Sequence, residues 1–242
     1  EYTGGSTGSS LALVCSIKGY PLKIVSSNAF AEEKLATMRA LGADVELIHS
    51  DDGIHPELIP EMIARVREIV KSEGAHPTDQ VNNLDLLDGY LGIGRELVEQ
   101  IDSEIHGLSL YVGVGGAFTG TWRPIHERWP DVVRTVVEPA ESAVISGNPP
   151  GTHRFEGGGV GFVTALITDD SYDRIELVST DEAFESARQL ARVEGVWTGP
   201  SGGASILGAI RLARDLGPGH TVVTVQPDGG LKYLSGDLYR DG

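Results

Sequence analysis

Four glycine-rich stretches carry the residues that could do chemistry: "GGSTG" at Gly4–Gly8, "GVGG" at Gly113–Gly116, "GPSGG" at Gly199–Gly203 and "PDGG" at Pro227–Gly230. The first three run into apolar, helix-spaced segments. A helix start offers unpaired N–H donors and the positive end of the helix dipole, and glycine lets an anion approach those donors closely. The chemistry expected of them is therefore the holding of a phosphate or carboxylate. Ser6 and Thr7 add hydroxyls at one such start, where either serves equally as an ordinary N-cap, and Ser201 does so at another.

Several other chemistries are excluded. The dinucleotide pattern G-x-G-x-x-G fails because Phe118 stands at its last glycine, and no glycine loop ends in Lys followed by Ser or Thr. Seven histidines are scattered without metal-ligand spacing, and no G-x-S-x-G elbow is present. The acidic pairs at Asp51 and Asp169 read as solvated turns. Cys15, the single cysteine, precludes an internal disulfide; within the apolar "SLALVCSI" it reads as a buried structural thiol, in keeping with a reducing cytoplasm.

The elements that must position these loops alternate. Helices are expected at Ser9–Lys18, over "AFAEEKLATMRALGA" with Leu35, Met38 and Leu41 on one face, and over "HPELIPEMIARVREIVKSEG" with Ile59, Ile63, Val66 and Val70 inward. Further helices are expected over "LDLLDGYLGIGRELVEQI", from the "GVGG" loop through Trp122, after a cap at Thr180 or Asp181, and after "GPSGG". Strands are expected at "LKIVSS", "DVELIHS", "LSLYVGV", "VVRTVVEP", "IELVST" and "HTVVTVQ", with residues 141–170 irregular. Such alternation predicts an α/β fold of parallel sheets wrapped by helices, with the glycine loops at the carboxyl ends of strands. The turn-rich "TDQVNN" predicts a seam between a smaller unit, 1–80, and a larger one, 81–242.

With 35 acidic against 19 basic residues, the net charge is -16, which disfavours nucleic acid and anionic membrane surfaces as partners. No apolar run is long enough to span a bilayer.

The order "TGGSTG…KGY", "EEKLATMRALGADVELI", "GVGGAFTG", "VEPAESAVISG", "GGGVGF", "GPSGGAS" and "PDGGLKYLSGDLY" resembles the cysteine synthase and cystathionine β-synthase family across nearly the whole chain. The resemblance implies a two-domain, fold type II architecture, pyridoxal 5'-phosphate as cofactor, an amino-acid substrate and a homodimer. It implies β-replacement on an O-activated serine; a serine or threonine dehydratase-type lyase and a non-catalytic binding subunit are the alternatives. Thr3, Gly4, Gly5, Ser6 and Thr7 match the loop for the substrate carboxylate, and Gln80 matches a glutamine that reaches the same group. Gly113, Val114, Gly115, Gly116 and Ala117 match the cofactor phosphate loop. Gly229 falls where a serine meets the pyridine nitrogen, and Asp228 is the adjacent residue that would reach the nitrogen in its place.

The chain also departs from that family. Ser6 replaces an asparagine that bonds the cofactor ring oxygen, Val114 and Ala117 replace threonines, and Gly202 replaces a serine. The Schiff-base lysine of the family lies upstream of the substrate loop, so the resemblance implies an N-terminally incomplete architecture with no catalytic residue assignable among Lys18, Lys23, Lys34, Lys71 and Lys232. Lys34 and Lys71 are expected on exposed helix faces.

Overall fold

Two parallel sheets organise the chain, and the computed structural model describes them within residues 1–240. In the first, β1 (Lys23–Ser27) pairs with β2 (Asp44–Ile48), Lys23 opposite Asp44. Tyr2 bridges Val25 in parallel, so the residues before the first glycine loop line β1 as a very short strand position. The second sheet has the order β5 (Arg174–Val178), β4 (Val133–Pro139), β3 (Gly107–Tyr111), β6 (Val222–Val223), every neighbour parallel. All of β3 is buried, as a central parallel strand covered on both faces must be.

Helices α1 (Ser6–Lys18), α2 (Glu32–Ala40) and α3 (Leu58–Glu73) accompany the first sheet. With the second go α4 (Asp85–Gln100), α5 (Gly116–Arg128), α6 (Thr180–Glu194), α7 (Pro200–Leu216) and the short α8 (Asp237–Arg240). Helices α4 and α5 cross closely because glycines stand at the contact. A Cβ on Gly94 would meet Pro124, and one on Gly120 would lie 2.9 Å from the Leu87 carbonyl.

Several expectations shift in detail. Helix α1 begins at Ser6, three residues before the apolar pattern, because the glycine loop itself turns into the helix. The inner face of α3 is Leu58, Ile59, Met62 and Ile69; Ile63 and Val66 pack only at its edge and Val70 is half-buried. Helix α5 runs on past Trp122 to Arg128. The cap of α6 is Ser179, whose hydroxyl accepts from Glu182 N–H while the Glu182 carboxylate accepts from Ser179 N–H, a capping box. Cys15 is half-buried, not enclosed.

Residues 141–170 are largely irregular, as expected, and act as a strap across the two sheets. His153 bridges antiparallel to Ile54, Phe155 stacks on Tyr111 with ring centroids 4.9 Å apart, and Phe162 joins the cluster of Tyr2, Val25, Leu58 and Met62. His153 is 4% exposed; its Nδ1 accepts from Phe155 N–H, so its Nε2 carries the proton donated to Gly159 O at 2.9 Å. Burial therefore pushes its pKa below the ordinary 6.5.

The unfolded chain takes up the His153 proton first as pH falls. The stabilising contribution is whole above about pH 6.5 and is lost as pH drops through the depressed folded value. Urea midpoints measured from pH 7.5 to 5 are expected to fall, and His153→Phe is expected to flatten that slope; equal slopes would show that the strap histidine does not titrate with unfolding.

Candidate functional site

The turn after β3 builds one anion cup. Gly115 stands at φ 98°, a left-handed conformation that favours glycine, and opens α5 without a side-chain cap. The bond from Thr119 N–H to Gly115 O is the first of the helix, which leaves the N–H groups of Gly116, Ala117 and Phe118 unspent at its start. The walls are close: a Cβ on Gly113 would lie 2.5 Å from the Gly157 carbonyl, and one on Gly115 2.6 Å from Ile167. Val114 packs into the first-sheet cluster and Ala117 against the second core, while the Val114 carbonyl accepts from the Thr164 hydroxyl at 2.5 Å. These two side chains are spent on packing, and the cup works through backbone donors.

A second cup forms at α1. Its N-cap is Gly5, and neither Ser6 nor Thr7 caps the helix. Ser9 N–H donates to Gly5 O, so the N–H groups of Ser6, Thr7 and Gly8 remain free of helix bonding. Thr3 supports the loop by accepting from Gly5 N–H at 3.2 Å, and the Phe30 ring occupies the space a side chain at Gly4 would need. Gln80 reaches this loop from far along the chain: its Oε1 accepts from the Thr7 hydroxyl at 2.9 Å, and its Nε2 donates to Tyr2 O at 2.7 Å. Thr7 and Gln80 are thus together, while Ser6 is exposed at the helix start. At α7, Ser201 is buried inside the helix and does not cap it.

Both oxygens of Asp228 accept a hydrogen bond. Its Oδ1 accepts from Gly199 N–H at 3.2 Å, ahead of α7, and its Oδ2 accepts from the Tyr233 hydroxyl at 2.5 Å. Burial, with Asp228 beside it, holds the Tyr233 phenol far above its ordinary range. Open space surrounds Gly229.

Lys34 departs from expectation. It is 2% exposed, not on an outer face, and its Nζ donates to Tyr233 Oη at 2.9 Å and to Glu156 Oε2 at 3.0 Å. The signal was in the spacing: Lys34 shares a helical face with Leu35 and Met38, both fully buried. Of the other lysines, Lys23 pairs with Glu73, Lys18 and Lys71 are exposed, and Lys232 is half-buried.

Chemically, the site is two uncapped helix starts, one for a phosphate-sized anion crowded by backbone and one with a hydroxyl–amide pair suited to a carboxylate. The donor set of the α5 cup fits a phosphate monoester. Among the described residues, no group of three or more His, Cys, Asp or Glu is placed to hold a metal ion, and no helix is long and apolar enough to cross a membrane.

Residues 1–228 match the family described as pyridoxal-phosphate dependent enzymes. The cysteine synthase of Staphylococcus aureus is 34% identical over 241 residues, covering 99% of this chain and 76% of that protein. The structure of O-acetylserine sulfhydrylase isoform 3 from Entamoeba histolytica superposes with a TM-score of 0.90 at 32% identity, covering 100% of this chain and 71% of that one. That of the O-acetylserine dependent cystathionine β-synthase from Helicobacter pylori does so at 0.89 and 32%, covering 98% and 76%.

The α5 cup depends on glycine. Gly115→Ala combines a disfavoured φ with a clash on Ile167, and is expected to cost about 1–3 kcal/mol of stability. It should also weaken uptake of pyridoxal phosphate, read by fluorescence titration; an unchanged affinity would take the phosphate away from this loop.

Proposed function

The chain belongs to the family of pyridoxal-phosphate dependent enzymes, and we propose that it catalyses β-replacement on an O-activated serine, of the O-acetylserine sulfhydrylase type. The observation that carries the reading is the pair of uncapped helix starts at Gly5 and Gly115, with Gln80 brought to Thr7. It is supported by relatives of the cysteine synthase type and by superposed structures of enzymes whose names specify O-acetylserine.

In this reading Gly113, Val114, Gly115, Gly116 and Ala117 bind the cofactor phosphate through backbone N–H groups. Thr3, Gly4, Gly5, Ser6 and Thr7 hold the substrate carboxylate at α1, where the helix dipole and the Thr7–Gln80 pair favour negative charge. Asp228 and Gly229 lie at the pyridine end: Gly229 leaves room there, and Asp228 presents a carboxylate fixed by Gly199 and Tyr233. Pyridoxal phosphate, when bound, supplies the electron sink for loss of the α-proton and departure of the β-substituent. The strap passes close over Gly113, where the Gly157 carbonyl leaves no room for a side chain. The resemblance puts the covalent lysine upstream of Thr3, so none of the lysines present is assigned that role. The reading carries with it a homodimer in the cytoplasm, supported by the resemblance and by a cysteine count too low for an internal disulfide.

The test is product analysis on the full-length protein with pyridoxal phosphate, O-acetylserine and sulfide. Cysteine and acetate are expected in equal amounts. Pyruvate with ammonia would move the enzyme to the deaminating lyases, and failure to take up the cofactor would overturn the reading. Gln80→Ala is expected to raise KM for the amino acid roughly tenfold while leaving cofactor affinity intact, since it removes a hydrogen bond beside a charged group; an unchanged KM would release Gln80 from the substrate.

A further inference from the structure

Lys34 is a buried cation that the mechanism above does not use. We propose that Lys34 is a positioning residue for this reaction: its ammonium joins the substrate-carboxylate loop, the strap and the Asp228 end of the site into one rigid unit. The inference rests on the functional reading of those loops.

The direction of each hydrogen bond is fixed by chemistry. An ammonium only donates, so Tyr233 Oη accepts from Lys34 and has its single proton left for Asp228 Oδ2. Asp228 then uses its other oxygen on Gly199 N–H. The second branch runs to Glu156, whose Oε2 accepts from Lys34 at 3.0 Å and from Ala31 N–H at 2.9 Å, tying the start of α2 to the strap. The stem of Lys34 lies against Gly5: a Cβ there would fall 3.1 Å from Lys34 Cε and 3.2 Å from Nζ. The floor of the α1 cup is therefore a methylene chain whose tip is fixed by residues more than a hundred positions away. Each link has a partner at every polar atom used, which makes the arrangement rigid. Removing the ammonium unfastens the stem that lies under Gly5 and leaves Asp228 with a phenol free to turn.

The experiment uses the full-length enzyme with pyridoxal phosphate and three variants, Lys34→Met, Lys34→Arg and Tyr233→Phe. The readouts are KM and kcat separately, the absorption band of the bound cofactor, and thermal melting. Lys34→Met is expected to raise KM for O-acetylserine roughly tenfold or more, with a smaller change in kcat, and to shift the cofactor band. Lys34→Arg, which keeps a donor-only cation, is expected to restore both. Tyr233→Phe keeps the Lys34–Glu156 pair and is expected to shift the band while leaving KM near its original value. A folded Lys34→Met enzyme with the original KM and band would overturn the proposal, whatever its melting temperature. If Lys34→Met does not fold, a Tyr233→Phe enzyme with an unshifted band overturns it instead. Failure of the unaltered enzyme to take up cofactor would strike the functional reading itself, and is distinguishable because it precedes any comparison of variants.

Discussion

A parallel strand–helix turn leaves the chain at one edge of its sheet with a helix about to begin and no partner for that helix's first N–H groups. The constraint recurs after Thr3 and after Val112. Helix α7, which follows α6 and not a strand, is without a side-chain cap, and Asp228 takes the N–H of Gly199 ahead of it. At α1 and α5 no side chain caps the helix. Where the protein supplies no cap, a ligand can, and glycines at both turns keep the approach open.

The strap depends on the same two turns. It lays the Gly157 carbonyl against Gly113 and sends Glu156 to Lys34 and Ala31, so one short segment touches both cups. The Lys34–Glu156 pair is a poor device for stability alone, because desolvating both ions offsets much of their attraction. Losing one member, however, strands the other, at about 3–5 kcal/mol. Such a pair restricts where the strap can lie more than it strengthens the fold.

The sequence made the alternation of strands and helices readable because parallel β-strands are continuous apolar runs and the helices around them are amphipathic. The cups were readable from glycine spacing, and Thr7 with Gln80 from resemblance. Lys34 escaped because a lysine is normally a surface residue, and its partners Glu156 and Tyr233 lie in segments with no periodicity to locate them. The inner face of α3 was misjudged by a fraction of a turn, since Leu58 and Met62 compete with Ile63 and Val66 on equal hydrophobicity. The Ser179 cap was one residue off because Ser179, Thr180 and Asp181 are all competent, and only the reciprocal bond with Glu182 decides.

The cluster that closes the first sheet takes Val81, Val114 and Phe162 from later in the chain. A protein is made from its N-terminus, and domains generally fold as units in that order. Here the first sheet has its strands and helices by Glu73 but lacks part of its apolar filling until Phe162 has been synthesised. During translation the early segment therefore waits, with apolar surface uncovered, for nearly ninety further residues, roughly five to twenty seconds at ordinary elongation rates. The strap that lies against Gly113 is also the piece that ends this interval of exposure to chaperones and to aggregation.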